Sequence, residues 1–200
     1  MTAQARRTRQ KQATREGILQ AALDIGQTEG WAAVTIRRIA EAVEYTSPII
    51  YQYFASKEDA LQAVLARGYD SLHRALETAG AESDPARRLH DMGRAYLRFA
   101  QEHRALYELM IGLGGVPLDG RARQEAATNV IRTTLAATEA WARQSRVPLA
   151  DPLAAAETVW GLLHGMATLG LLEDVGFARA QQLAENALAA LMLGWEAQMP

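Results

Sequence analysis

The chain has 200 residues, enough for one or two small domains with a real core. An apolar content of 49% and a formal net charge of −2 suit a globular protein and do not advertise a polyanionic partner by total charge. There is no cysteine, which excludes disulfide frameworks, thiolate metal sites and cysteine nucleophiles.

The charge is uneven along the chain. Residues 1–15 hold Arg6, Arg7, Arg9, Lys11 and Arg15 and no acid, a local charge of +5 that leaves −7 for the remainder. The expectation is a basic disordered arm over residues 1–11, ahead of an acidic body. No apolar run follows the basic stretch, so no secretory leader is expected. The longest apolar run, "GLLHGMATLGLL", has 12 residues, against about 20 for a membrane-crossing helix. A cytoplasmic protein without membrane attachment is expected.

Almost every segment reads as helix: Ala, Leu, Glu, Gln and Arg dominate, and β-branched runs are absent. A first helix is expected over residues 12–29, with Ile18, Ala22 and Ile25 on one face and Gly30 as its stop. Gly17 and Gly26 weaken it by about 1 kcal/mol each relative to Ala. Thr35 can cap a second helix whose apolar stripe is Ile36, Ile39, Ala40 and Val43. Thr46 can cap a third, of about seven residues, with Pro48 in its first turn, where a missing N–H costs nothing. "SKED" opens a fourth, Ser56 capping it and Asp59 supplying the carboxylate of a capping box. Its Leu61, Val64, Leu65, Leu72 and Leu76 carry the helical period into the 70s, and "AESDP" breaks it. Asp84 and Pro85 start a fifth helix, and a short sixth spans about 103–111. "GLGGVPLDG" is a loop, and helices follow at about 120–145, 150–172 and 177–197.

The expected fold is therefore all-α, with about nine helices. Residues 12–58 form an N-terminal three-helix helix-turn-helix domain. Residues 59–200 form a larger helical domain for ligand binding and dimerisation.

Two short helices joined by a tight turn place the start of the second against base edges in a major groove. Ser47, Ile49, Tyr51, Gln52 and Tyr53 supply donors, acceptors and apolar faces for that task. A glutamine can pair with adenine, and an apolar contact can read a thymine methyl. Arg37 and Lys57 flank the helix at positions suited to phosphates. The free N–H groups at the start of the fourth helix offer a second anion site. Ile50 and Phe54 read as core, and one of the tyrosines can be core too.

Residues 14–65 carry, in order and spacing, "ILQAAL", Gly30 followed by an aromatic residue, "TIRRIAEA", "IIYQYF" and "SKEDAL". Together these resemble the DNA-binding domain of the TetR family of bacterial transcriptional regulators. The resemblance implies a homodimer on double-stranded DNA, each third helix reading one half of a near-palindromic operator. It implies base contacts from Ser47, Pro48 and Tyr51, phosphate contacts from Tyr53 and Lys57, and further contacts from Thr35 and Arg37. Two positions depart from the family pattern. Glu44 stands where a turn glycine is common, and a left-handed residue other than glycine costs on the order of 1 kcal/mol. Gly26 stands where a phenylalanine is usual, so the first helix is expected to pack differently.

In the second half, Trp160, His164 and Gly165 resemble the signature of a WHG-type C-terminal domain of the same family. A small, mostly apolar effector is expected near Tyr96, Phe99, Tyr107, Met110, Trp160, His164 and Met166. Aromatic residues and methionines at helical spacing serve equally as plain core, and His164 as a satisfied histidine beneath Trp160. Leu162, Leu169 and Leu172 on one helix and Leu188, Leu191 and Trp195 on the next exceed the needs of one small core. They suit a four-helix interface around a two-fold axis.

No catalytic residues, metal ligands or cofactor are expected. The histidines at 73, 90, 103 and 164 lack metal-ligand spacing, no serine stands in a nucleophile motif, and "GLGG" follows no strand. The leading expectation is a repressor released from a palindromic operator by a small ligand. A helical protein-interaction module without specific DNA binding is the first alternative, and a small helical enzyme the second. Salt-sensitive binding to one palindrome separates the first from the others.

Overall fold

The computed structural model describes residues 2–81 and 84–197. Among these there are nine α-helices, one short 3-10 turn and no strand. The helices are α1 (Ala3–Glu29), α2 (Ile36–Ala42), α3 (Ser47–Ile50), α4 (Lys57–Ala79), α5 (Pro85–Glu102), α6 (Arg104–Met110), α7 (Gly120–Ser145), α8 (Pro152–Gly170) and α9 (Gly176–Glu196). The 3-10 turn is Trp31–Ala33.

Short side chains place most helix starts. Thr35 accepts from the Arg38 N–H, Asp84 from Arg87 and Asp151 from Ala154. The capping box expected at "SKED" is present in a variant form, its carboxylate reaching one residue before the cap. The Ser56 hydroxyl accepts the Asp59 N–H at 3.1 Å, and the Asp59 carboxylate accepts the Ala55 N–H at 2.8 Å. Part of the break at "AESDP", residues 82–83, lies outside the described residues.

Two expectations change at the N-terminus. Helix α1 begins at Ala3, with Thr2 capping it through the Ala5 N–H, so helix replaces the expected disordered arm. Residues 3–11 are Ala, Gln, Arg, Thr and Lys without Gly or Pro, and propensity outweighs their like charges. Helix α3 has four residues rather than about seven, and Thr46 makes no side-chain cap. Residues 51–53 continue as turn, with Phe54 buried at its end.

The chain divides into two compact units, Met1–Gly68 with Ala105–Ala126, and Tyr69–Arg104 with Ala127–Pro200. The first is therefore larger than the 12–58 domain read from the sequence, because α6 and the following loop belong to it. Trp31 is the reason. It is buried, and its indole N–H donates to the Ala105 carbonyl at 2.9 Å. Gly26 makes room for it: a Cβ there would stand 2.4 Å from the indole ring. The missing phenylalanine of α1 is thus matched by a tryptophan five residues on. Ile18, Ala22, Val34, Ile39, Ile50 and Leu61 complete this core.

The second unit packs α5 against α8 and α9. Leu89, Leu97, Val159, Leu188 and Trp141 are buried there. Threonines 133, 134 and 138 are buried on α7. Thr134 and Thr138 donate to carbonyls one turn back, and Thr133 meets the His73 imidazole at 3.2 Å.

Candidate nucleic-acid interface

Helices α2 and α3 pack on each other, and α2 packs on α1. Ile36, Ile39, Ala40, Ile50 and Phe54 point inward and anchor them. The turn between them runs through Glu44 at φ 56°, the left-handed conformation its position demanded. Arg15 of α1 lays its guanidinium 5.0 Å from the Phe54 ring, a cation–π contact that ties α1 to the turn after α3.

The inward anchors leave the other face of α3 to solvent. Pro48 occupies its first turn and is exposed; Ser47 is half-buried. Tyr51 is 56% exposed and Gln52 is exposed beside it, while Tyr53 is half-buried. The suspicion that one tyrosine belongs to the core therefore fits Tyr53 better than Tyr51. Tyr45, in the turn before α3, is 43% exposed and was not among the expected contacts. The signal for it was present: a tyrosine outside both apolar stripes of the helix pair.

The cations differ in their freedom. Arg37 is exposed and donates from Nε to Glu41 at 2.8 Å, which raises its pKa, and must leave that pair to meet a phosphate. Lys57, the first residue of α4, is half-buried. The anion site expected from free N–H groups at the start of α4 is partly answered from within. Ser56 takes the Asp59 N–H, and Glu58 is held below the usual carboxylate range, first by its own backbone N–H and then by the Ser56 hydroxyl. Thr35 spends its hydroxyl on the α2 cap, which leaves one of its lone pairs for a further donor. The basic residues of α1, Arg6, Arg7, Arg9 and Lys11, are exposed along one helix.

This arrangement has partners among known proteins. A family model for the N-terminal domain of bacterial regulatory proteins of the tetR family matches residues 18–64. A second, described as a tetracyclin repressor-like C-terminal domain, matches residues 89–191. The chain belongs to the TetR family of transcriptional regulators. It is a DNA-binding regulator, not an enzyme. An uncharacterised HTH-type transcriptional regulator of Mycobacterium tuberculosis is 27% identical over 167 residues, covering 81% of this chain and 73% of the relative. The HTH-type regulator TcmR of Streptomyces glaucescens is 30% identical over 91 residues, 46% of this chain and 40% of that one. The fold recurs in a Rhodococcus protein of unknown function, with TM-score 0.77, 24% identity and coverage of 90% and 94% of the two chains. It recurs in the TetR-family regulator PfmR of Thermus thermophilus, with TM-score 0.65, 21% identity and coverage of 88% and 93%. The WHG resemblance is a narrower statement than the C-terminal match.

The residues expected around an effector do not form one group. Tyr107 and Met110 belong to the first unit and are fully buried, with the Met110 sulfur 2.7 Å from where a Cβ on Gly68 would stand. Tyr96, Phe99, Trp160, His164 and Met166 belong to the second. There Tyr96 and Phe99 are buried, and Phe99 lines a cleft between α4 and α5. The Tyr96 hydroxyl stands 3.5 Å from His164 Nδ1. Trp160 stacks on His164 at 5.1 Å but is itself 46% exposed, so the histidine lies beneath a surface tryptophan rather than in a core. Burial pushes the His164 imidazole below its usual pKa.

The six residues expected at a dimer interface also divide. Leu169 and Leu172 are exposed, and Leu162 and Leu191 are half-buried. Leu188 is buried inside its own unit, and Trp195 packs on Trp141 with ring centres 5.7 Å apart. Leu188 thus serves the packing of α9 on α8 and α5, and Trp195, half-buried, meets α7. Among the described residues no helix is long and apolar enough to cross a membrane.

Proposed function

We propose that this TetR-family protein is a cytoplasmic repressor that binds a near-palindromic operator as a homodimer and leaves it when a small, mostly apolar ligand binds. The observation that carries the reading is the solvent-facing set on and after α3: Pro48, Tyr51 and Gln52, with Ser47 half-buried beside them. Ile50 and Phe54 hold these side chains on rigid backbone, which base reading requires. Ser47, Pro48, Tyr51 and Gln52 read base edges, with Tyr45 at the rim. Tyr53, Lys57, Thr35 and Arg37 meet phosphates, which fix register. Leu162, Leu169, Leu172 and Leu191 cover themselves against a second copy.

Helix α4 starts in the first unit, beside the reading helix in sequence, and ends in the second. A ligand held in the second unit that prefers one setting of α4 biases the spacing of the two reading helices. That spacing must match one DNA turn, about 34–36 Å. Only a ligand with different affinities for the two settings can shift them. By linkage, operator must weaken ligand as much as ligand weakens operator.

Selection from random duplexes, followed by anisotropy titrations at several salt concentrations, tests the reading. One enriched palindrome, bound by two protomers with steep salt dependence, is expected. Equal affinity for selected and random duplexes would leave the protein-interaction reading instead.

A further inference from the structure

The C-terminal half of α4 and the exposed side of α5 enclose a cleft of about 520 Å³, entirely within the second unit. Small-molecule sites run from about 300 to 1,000 Å³. Three arginines line it, Arg74 from α4 and Arg94 and Arg98 from α5. They are not equivalent. Arg94 is ion-paired with Asp91, and Glu185 of α9 stands 3.6 Å from it, so its charge is answered. No ion pair ties Arg74 or Arg98 to a carboxylate among the described residues. Glu102, one turn after Arg98, also lines the cleft and pairs with neither. Two unanswered cations against one unanswered acid leave the lining with one positive charge in excess.

The rest of the lining mixes apolar and polar side chains, Ser71 and Thr78 among the latter. Phe99 is buried, its ring 4.9 Å from that of His103, and Ala75, Ala79 and Ala95 form apolar walls. Two guanidiniums that line one cleft from different helices can each offer paired N–H groups to a carboxylate held there. The alanines and the aromatic floor suit a flat apolar body. The geometry points to a small organic monocarboxylate, its apolar body on Phe99 and the alanine walls and its carboxylate between Arg74 and Arg98. The assignment rests on the reading of this protein as ligand-responsive and names the ligand class. Such a ligand ties α4 to α5 through charges that share a cleft only in the folded unit.

The test is calorimetric titration of the full chain with 2-naphthoate and with its neutral counterpart 2-naphthamide. Saturable binding of the acid is expected, with the amide at least about tenfold weaker. Arg74→Gln and Arg98→Gln each weaken the acid about tenfold while circular dichroism stays unchanged, since both side chains are exposed. Arg121→Gln, in the first unit and paired with Glu125, leaves binding as it was. No saturable binding at millimolar acid, equal binding of acid and amide, or arginine variants that bind as the parent does would each overturn the assignment. Operator affinity is measured separately. Acid binding that needs both arginines but leaves operator affinity unchanged keeps the cleft and removes the ligand-response reading.

Discussion

In the first unit the exposed large hydrophobic side chains near the reading helix are Tyr45 and Tyr51; on α8 and α9 of the second, and just after α8, they are Leu153, Trp160, Leu169, Leu172 and Leu193. Tyrosine joins an apolar ring to a hydroxyl that can donate and accept, so it can face a wet, polyanionic groove. Leucine offers DNA nothing but apolar contact, and its exposure is relieved only against another apolar surface. Glycines and alanines such as Gly161, Gly165, Ala190 and Gly194 are exposed on the same two helices, and a Cβ on any of the three glycines would meet nothing. Small residues let a partner helix approach closely. On the proposed reading, equal exposure marks two different partners, and side-chain chemistry separates them.

The most severe way to break the contrast is to charge the leucine face. Leu169→Glu with Leu172→Glu would place carboxylates in an apolar interface, at a cost of about 2–5 kcal/mol. Sedimentation should show monomer at micromolar concentration, with operator binding lost and the helical signal retained. A double variant that remains dimeric would move the interface elsewhere.

Gly26→Ala attacks the scaffold beneath the tyrosines. Its new methyl meets the Trp31 ring at 2.4 Å, inside a core that cannot yield. Overpacking of this kind costs about 1–3 kcal/mol, more than any gain in helix propensity. Denaturant unfolding should show the midpoint fall, and Gly17→Ala, which meets nothing, should raise it.

Tyr51→Ala sharpens the contrast on the DNA side. Loss of a base contact should weaken the selected operator by about 1–3 kcal/mol and random duplexes far less. Lys57→Ala should weaken both alike and reduce the salt slope by about one. Anisotropy titrations across salt concentrations separate the two, and a Tyr51→Ala loss shared equally by random DNA would remove that residue from base reading.

The smallest effect belongs to Glu44→Gly. It relieves the left-handed strain at φ 56°, worth at most about 1 kcal/mol. It also removes a carboxylate next to the proposed DNA-reading helix, so thermal midpoint and operator affinity should both rise slightly.

Local signals were legible in the chain. The period of apolar residues marked the helices, and Thr35, Ser56 and Asp84 marked starts that hydrogen bonds now account for. The left-handed turn at Glu44 followed from the family resemblance, in which glycine is common at that position. Short-range order of this kind depends on residues within one turn, so the sequence contains it whole. The length of α3 was less legible, because turn and helix differ there by a single hydrogen bond per residue. Helix at residues 3–11 was legible from propensity but hidden by charge.

Contacts between distant segments were decided by packing alone. The pairing of Gly26 with Trp31, and of Trp31 with the Ala105 carbonyl, joins a short gap in sequence to one of 74 residues. That pairing assigned α6 to the first unit. The inner stripe of α9 took Leu188 and Trp195 and left Leu193 outside, a choice that period cannot make between two apolar faces. Arg74 and Arg98 sit on different helices, and nothing in their sequence spacing announces that they share a cleft. A chain determines its own turns because their partners are neighbours. Which faces meet depends on the sum of many weak apolar contacts, and that sum exists only in the folded unit.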